Sequence, residues 1–89
     1  MTMHLELEAI VARINTATGS PSEPYTKTAD GHYKANVGNY HLSSAYGGYA
    51  LHKMANEDGG VHDIFGGHMP KSVLAHLMRA YLAGITSQR

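Results

Sequence analysis

The sequence predicts an α+β protein: a helix, three or four antiparallel strands and a second helix, arranged as a two-layer sandwich with both helices on one sheet face. Three observations predict it. Apolar residues recur at helical spacing near both ends of the 89-residue chain. Three glycine pairs, Gly47-Gly48, Gly59-Gly60 and Gly66-Gly67, cut the middle into strand-length pieces. Those pieces are rich in the aromatic and β-branched residues that strands favour, and paired glycines supply the positive φ angles of tight reversals. No internal repeat is present, and residues 1–89 are read as one small domain.

From Met3 to Thr16, Leu7, Ile10, Val11 and Ile14 fall at i, i+3, i+4 and i+7, one face of an amphipathic helix, with Glu6, Arg13 and Asn15 on the other side. Gly19 is placed to cap it and Pro21 cannot continue it. Ser20 to Gly31, with two prolines and four hydroxyl residues, has no periodicity and reads as a flexible loop. A short strand is expected from His32 to Val37, with Gly38-Asn39 as a two-residue turn that pairs it with the next strand.

Tyr40 to Tyr46 and Tyr49 to Ala55 flank Gly47-Gly48 and predict a hairpin in which Tyr46 faces Tyr49, Ser44 faces Leu51 and Ser43 faces His52. The rival is a helix from Tyr49 to Glu57, since Ala50, Leu51, Lys53, Met54, Ala55 and Glu57 are good helix formers; the flanking glycines favour the strand. Asn56 to Gly60 is a longer turn and Val61 to Phe65 the last strand. Pro70 suits the first position of the second helix, whose stripe is Val73, Leu74, Leu77, Met78, Tyr81, Leu82 and Ile85, with Gly84 as its C-terminal cap.

A chain of this length buries only about 60% of its unfolded surface, so each large apolar side chain matters and a homodimer interface would supplement the core. The absence of cysteine removes disulfides, thiolate catalysis and thiolate zinc sites. Seven Lys and Arg balance seven Asp and Glu, which argues against tight binding to nucleic acid. The amino terminus lacks the basic flank and apolar run of a secretory signal, and no stretch reaches membrane-spanning length, so a cytoplasmic protein without membrane contact is expected. Histidine is the outlier, with seven residues that titrate near ~6.5 when unperturbed.

Strand alternation sorts the sheet into two faces. Tyr40, Leu42, Tyr46, Tyr49, Leu51, Val61 and Phe65 form the bed for the helices. His41, Ser43, Ala45, Ala50, His52, Met54, His62 and Ile64 form the opposite face, where His41 and His62 flank Met54. These imidazoles are read either as half-exposed strand residues without a joint role or as a recognition surface or adventitious metal site. Histidines on the two outer strands are ~10 Å apart at Cα, awkward for one zinc unless the side chains swing inward, and no His-Glu-x-x-His or dense carboxylate group supplies further ligands, so no metal and no cofactor are expected. No glycine-flanked serine elbow is present, and an enzyme is not expected. Gly66-Gly67 before a helix start is a weak anion site, with the single Lys71 behind it. Tyr25, in the loop, is a candidate contact for a partner, because tyrosine joins apolar area to a polar tip, and Tyr33 shares that property.

The segments Asn36-Val37-Gly38-Asn39-Tyr40, Ser43 to His52 and Gly67-His68-Met69-Pro70-Lys71 resemble small uncharacterised proteins encoded by tailed bacteriophages and prophages. The resemblance covers about the last two-thirds of the chain and carries no established activity or site residues. It implies a bacterial host cytoplasm and action on a host or phage protein, including inhibition of host defence or regulation. The expectation is therefore a small non-enzymatic binding protein that uses His41, His52, Met54, His62 and Tyr25. The alternative is a nucleic-acid-binding module, because helix-strand-strand-strand-helix is also the order of the double-stranded-RNA-binding domain; the solitary Lys71, where that domain has a basic cluster, counts against it. A small metal-dependent enzyme is the third reading.

Overall fold

The computed structural model describes residues 2–87, with side chains from Leu5 onward. Helix α1 spans Thr2–Thr18 and buries Leu7, Ile10, Val11 and Ile14, as their spacing requires. It ends in a Schellman arrangement: Ser20 N–H donates to the Asn15 carbonyl at 2.9 Å, Gly19 N–H to that of Thr16 at 3.2 Å, and Gly19 takes a φ of 69°.

Residues 20–31 are not all loop. Tyr25–Lys27 form strand β1 and pair antiparallel with β2, Tyr33–Ala35, in a sheet of their own. Polar groups, which carry no periodicity, close this ribbon. The Thr28 hydroxyl donates to the Asp30 carboxylate at its tip, and the Asn36 amide donates to the Glu23 carbonyl at 2.9 Å at its base. The second strand thus pairs backward rather than forward. Gly38-Asn39 is not a hairpin turn: Gly38 N–H bonds the Met54 carbonyl at 2.9 Å and the Asn39 side-chain amide bonds that of Pro21 at 2.8 Å, carrying the chain across to the second sheet.

That sheet has the order β3-β4-β5, from Tyr40–Ala45, Gly48–Met54 and Val61–Asp63, all antiparallel. The helical alternative for Tyr49 to Glu57 is thereby excluded. The hairpin register differs from the expected one, since Ala45 faces Gly48, Ser44 faces Tyr49, Ser43 faces Ala50 and His41 faces His52. Gly48 belongs to the strand because a Cβ there would lie 3.0 Å from the backbone nitrogen and oxygen of Met69, which pairs with Tyr49 on the far edge of β4. The turn is Tyr46-Gly47, with φ of 54° and 75°, the positive pair that a type I′ turn demands.

The β4–β5 turn is one residue shorter than expected, since Ala55 N–H donates to the Gly60 carbonyl at 2.8 Å. Asn56 stabilises it by accepting from the N–H groups of Asp58 and Gly60, each at 3.0 Å, and a Cβ at Gly60 would fall 2.5 Å from the Asn56 amide nitrogen. One residue in a turn exchanges the two faces of the following strand. His62 therefore faces Lys53, while Val61 and Asp63 face Met54 and His52.

One hydrophobic cluster joins Leu7, Ile10, Val11 and Ile14 of α1, Leu74, Ala75, Met78 and Leu82 of α2, and Tyr40 and Leu51 of the sheet, with Leu42, Tyr49, Ile64 and Phe65 packed against it. Phe65 reaches it because strand geometry ends at Asp63, two residues earlier, and its ring meets that of Tyr81 at 5.8 Å. Helix α2, Lys71–Ser87, begins one residue after Pro70, whose carbonyl accepts from Leu74 N–H at 3.0 Å. Val73 is exposed, outside the buried stripe, and Gly84 lies inside the helix rather than capping it. The α+β order of helix, strands and helix stands, with five strands in two sheets.

Candidate recognition surface

The edge of β3 is built by one side chain of α1. Along β3 the peptide groups of His41, Ser43 and Ala45 turn toward β4, so those of Tyr40, Leu42 and Ser44 turn outward. At Tyr40 the outward pair is taken by Asn15, which accepts from the N–H at 2.8 Å and donates to the carbonyl at 3.0 Å. Asn15 was expected on the polar side of the helix; it is 3% exposed and acts as a one-residue partner strand. Beyond it, Leu42 lines a cleft of about 410 Å³ between α1 and the start of β1, with Glu8, Val11, Glu23, Tyr25 and His41, while Ser44 lies in a separate depression beside Tyr49 and Lys71. Two of the expected contact residues, Tyr25 and His41, meet there.

On the face away from the helices stands a row of three imidazoles, but not the expected three. His41 and His52 face each other with ring centroids 6.0 Å apart, and His68, from the segment before α2, stacks edge-on to His52 at 6.0 Å. His62 is exposed beside Lys53, on the other face. Met54 is 1% exposed, enclosed where the β2–β3 connection bonds the end of β4, so it offers no recognition surface. Asp63 replaces His62 in the row, with Oδ2 3.8 Å from His52 Nε2. Alternation from Val61 would have found Asp63 had the turn length been known. His68 carried no periodic signal.

Each imidazole has its own partner. Asn39 Oδ1 accepts from His41 Nδ1 at 3.1 Å, which assigns that proton and leaves Nε2 as an acceptor, given that the Asn39 amide nitrogen is committed to Pro21. Burial, reinforced by the neighbouring His52 and opposed by the Asn39 contact, lowers the His41 pKa below the ordinary imidazole value. The Ser43 hydroxyl lies 3.1 Å from His68 Nε2. Burial works to raise the Asp63 carboxyl, but the amides of Gly67 and Gly66 turn toward it and, with His52, hold its pKa below the usual carboxylate range.

This pattern bears on catalysis. Serine and carboxylate contact different histidines, Ser43 touching His68 and Asp63 touching His52, so no single imidazole links a nucleophile to an orienting acid. The glycine amides that an oxyanion would need are turned toward Asp63. Among the described residues, no group of three His, Cys, Asp or Glu side chains is arranged to hold a metal ion.

At the end of the row stands Tyr46, 100% exposed, at a φ of 54° that side chains rarely adopt, with its ring 6.1 Å from that of His68. Cations are scattered. Lys34 pairs with Glu57 at 3.1 Å and Arg79 with Glu6 at 2.9 Å, while Lys53 and Lys71 lie over the rings of Tyr40 and Tyr49. No helix among the described residues is long and apolar enough to cross a membrane. No protein-family model, curated protein or solved structure matches the chain.

Proposed function

We propose that the protein is a non-enzymatic recognition module that binds another protein through the surface running from Tyr46 along His68, His52 and His41. The observation that carries this reading is Tyr46. A bulky residue in the left-handed region of an otherwise Asn-Gly-type turn costs roughly 1 to 2 kcal/mol, and its side chain returns no burial within the chain. Strain of that kind collects where a surface is used. Tyrosine and histidine beside small residues such as Ser43 and Ala45 also have the character of an interface centre rather than of a charged, solvated face.

The resemblance to phage-encoded proteins directs the search to bacterial partners. The immobilised 89-residue chain is expected to capture a specific protein from bacterial lysate, and Tyr46→Asn or His52→Glu should each reduce capture while the far-ultraviolet circular dichroism stays native. The scattered cations supply no stripe for phosphate backbones, so nucleic-acid affinity near physiological salt should be weak. Salt-sensitive, submicromolar binding to RNA or DNA with no protein captured would replace this reading with the nucleic-acid one.

A further inference from the structure

The two edges of the three-stranded sheet are unlike. At the β5 edge the strand is three residues long, and the chain then leaves strand geometry through Gly66 and Gly67 before rejoining Tyr49 at Met69. Short strands, bulges and charges are how edges are protected against added strands. The β3 edge has none of these. Tyr40-His41-Leu42-Ser43-Ser44-Ala45 is six residues long, without lysine, proline or bulge. Asn15 occupies only its first outward peptide group, and no strand pairs with Leu42 or Ser44 on that side among the described residues.

From this we infer that β3 is a strand-addition site that takes an extended peptide segment carrying a basic side chain, an inference that rests on the protein-binding reading and gives the partner its chemistry. The N–H and carbonyl groups of Leu42 and Ser44 offer two donors and two acceptors in ladder geometry, the main-chain half of strand addition. The cleft beside Leu42 offers the side-chain half. Glu23 stands on the wall opposite α1, and no Lys or Arg lines this cleft among the described residues, so a Lys or Arg of the incoming strand meets complementary charge at Glu23. Tyr25 and His41 flank the same cleft, and Tyr46 follows at the other end of β3, so one extended chain touches aromatic residues at both ends.

A library of random decapeptides screened against the whole chain tests this. Selected binders are expected to alternate β-branched or aromatic residues around a Lys or Arg, and to slow hydrogen exchange at the Leu42 and Ser44 amides. Ser44→Pro removes an outward N–H that the sheet does not use, a substitution edge strands tolerate, and is expected to weaken the binders about tenfold or more. Glu23→Lys should shift selection from basic to acidic peptides, which keeps the test decisive if Ser44→Pro fails to fold. Absence of any binder, or binders indifferent to both changes, would overturn the inference. So would concentration-dependent protection of the same amides without peptide, since a second copy would then hold the edge. Binders that depend on His52 and Tyr46 but leave Leu42 and Ser44 unchanged would overturn strand addition while leaving protein recognition in place.

Discussion

Asn15 closes both hydrogen bonds of the Tyr40 peptide, accepting at 2.8 Å and donating at 3.0 Å, and so ties the last full turn of α1 to the first residue of β3. A side-chain amide has the same donor and acceptor pair as a peptide group, which lets one residue stand in for a strand. The tie sets where the open part of the β3 edge begins.

Removing that amide should be costly. Asn15→Ala leaves a buried N–H and a buried carbonyl without partners, at about 1 to 3 kcal/mol each, a large share of the stability of so small a domain. Urea denaturation should show a loss of about 2 to 5 kcal/mol, with Asn15→Asp, which keeps only the acceptor, also destabilised. Wild-type stability in Asn15→Ala would contradict the role assigned here.

Core and surface should separate sharply. Leu51 and Met54 are fully buried, so truncation of either to Ala is expected to cost about 2 to 5 kcal/mol, whereas Ser22→Ala at an exposed position should change little. For Met54 this is a direct measure of burial, because an exposed Met54 on a binding face would tolerate the change.

Two glycines should respond with opposite signs. A Cβ at Gly48 would press on the Met69 backbone at 3.0 Å, so Gly48→Ala should destabilise the sheet by about 1 to 3 kcal/mol. Gly84 lies within α2 with nothing within 4 Å of a new Cβ, and Gly84→Ala should stabilise by about 0.5 to 1 kcal/mol. Thermal melts that moved in the same direction for both would count against the register described above.

Acid should weaken the fold partly through His41. Its folded-state pKa lies below the ordinary 6.5, so between those two values the unfolded chain binds a proton that the native protein does not. Stability from this group is therefore fully present above pH ~6.5 and is lost as pH falls through the lowered value. NMR titration should place His41 below 6.5, and His41→Gln should flatten the loss of stability between pH 7 and 5. A His41 midpoint at or above 6.5 would refute the assignment.

The strain at Tyr46 can be measured directly. Tyr46→Asn places a residue suited to positive φ before Gly47 and exposes no core, so the melting temperature should rise by an amount corresponding to about 1 kcal/mol. A variant less stable than the parent would mean that the turn favours tyrosine for a reason other than recognition.

The helices were legible because their signal is local. Leu7, Ile10, Val11 and Ile14 repeat at the helical period, and that period alone selects the face that α1 buries. Strand existence was legible for the same reason, from the residues between glycine pairs. The recognition surface was legible only in part. His41 and His52 were placed together by alternation, while His62 and Asp63 exchanged faces because one residue fewer in the Asn56 turn reverses all that follows. The ribbon of β1 and β2 was missed because Thr28, Asp30 and Asn36 hold it with polar contacts that leave no hydrophobic period.

By itself the sequence determined the α+β order, the buried stripes of α1 and much of α2, and the need for glycines at the reversals, since each follows from residue spacing and backbone sterics. The tertiary structure alone decided which glycine turns and which one packs, that Asn15 serves as a partner strand, that His68 joins the histidine row, and that one sheet edge is only three residues long while the other runs for six. Those features depend on contacts between residues far apart in the chain, Gly48 against Met69 and Asn15 against Tyr40, and no local period encodes the meeting of two distant backbones.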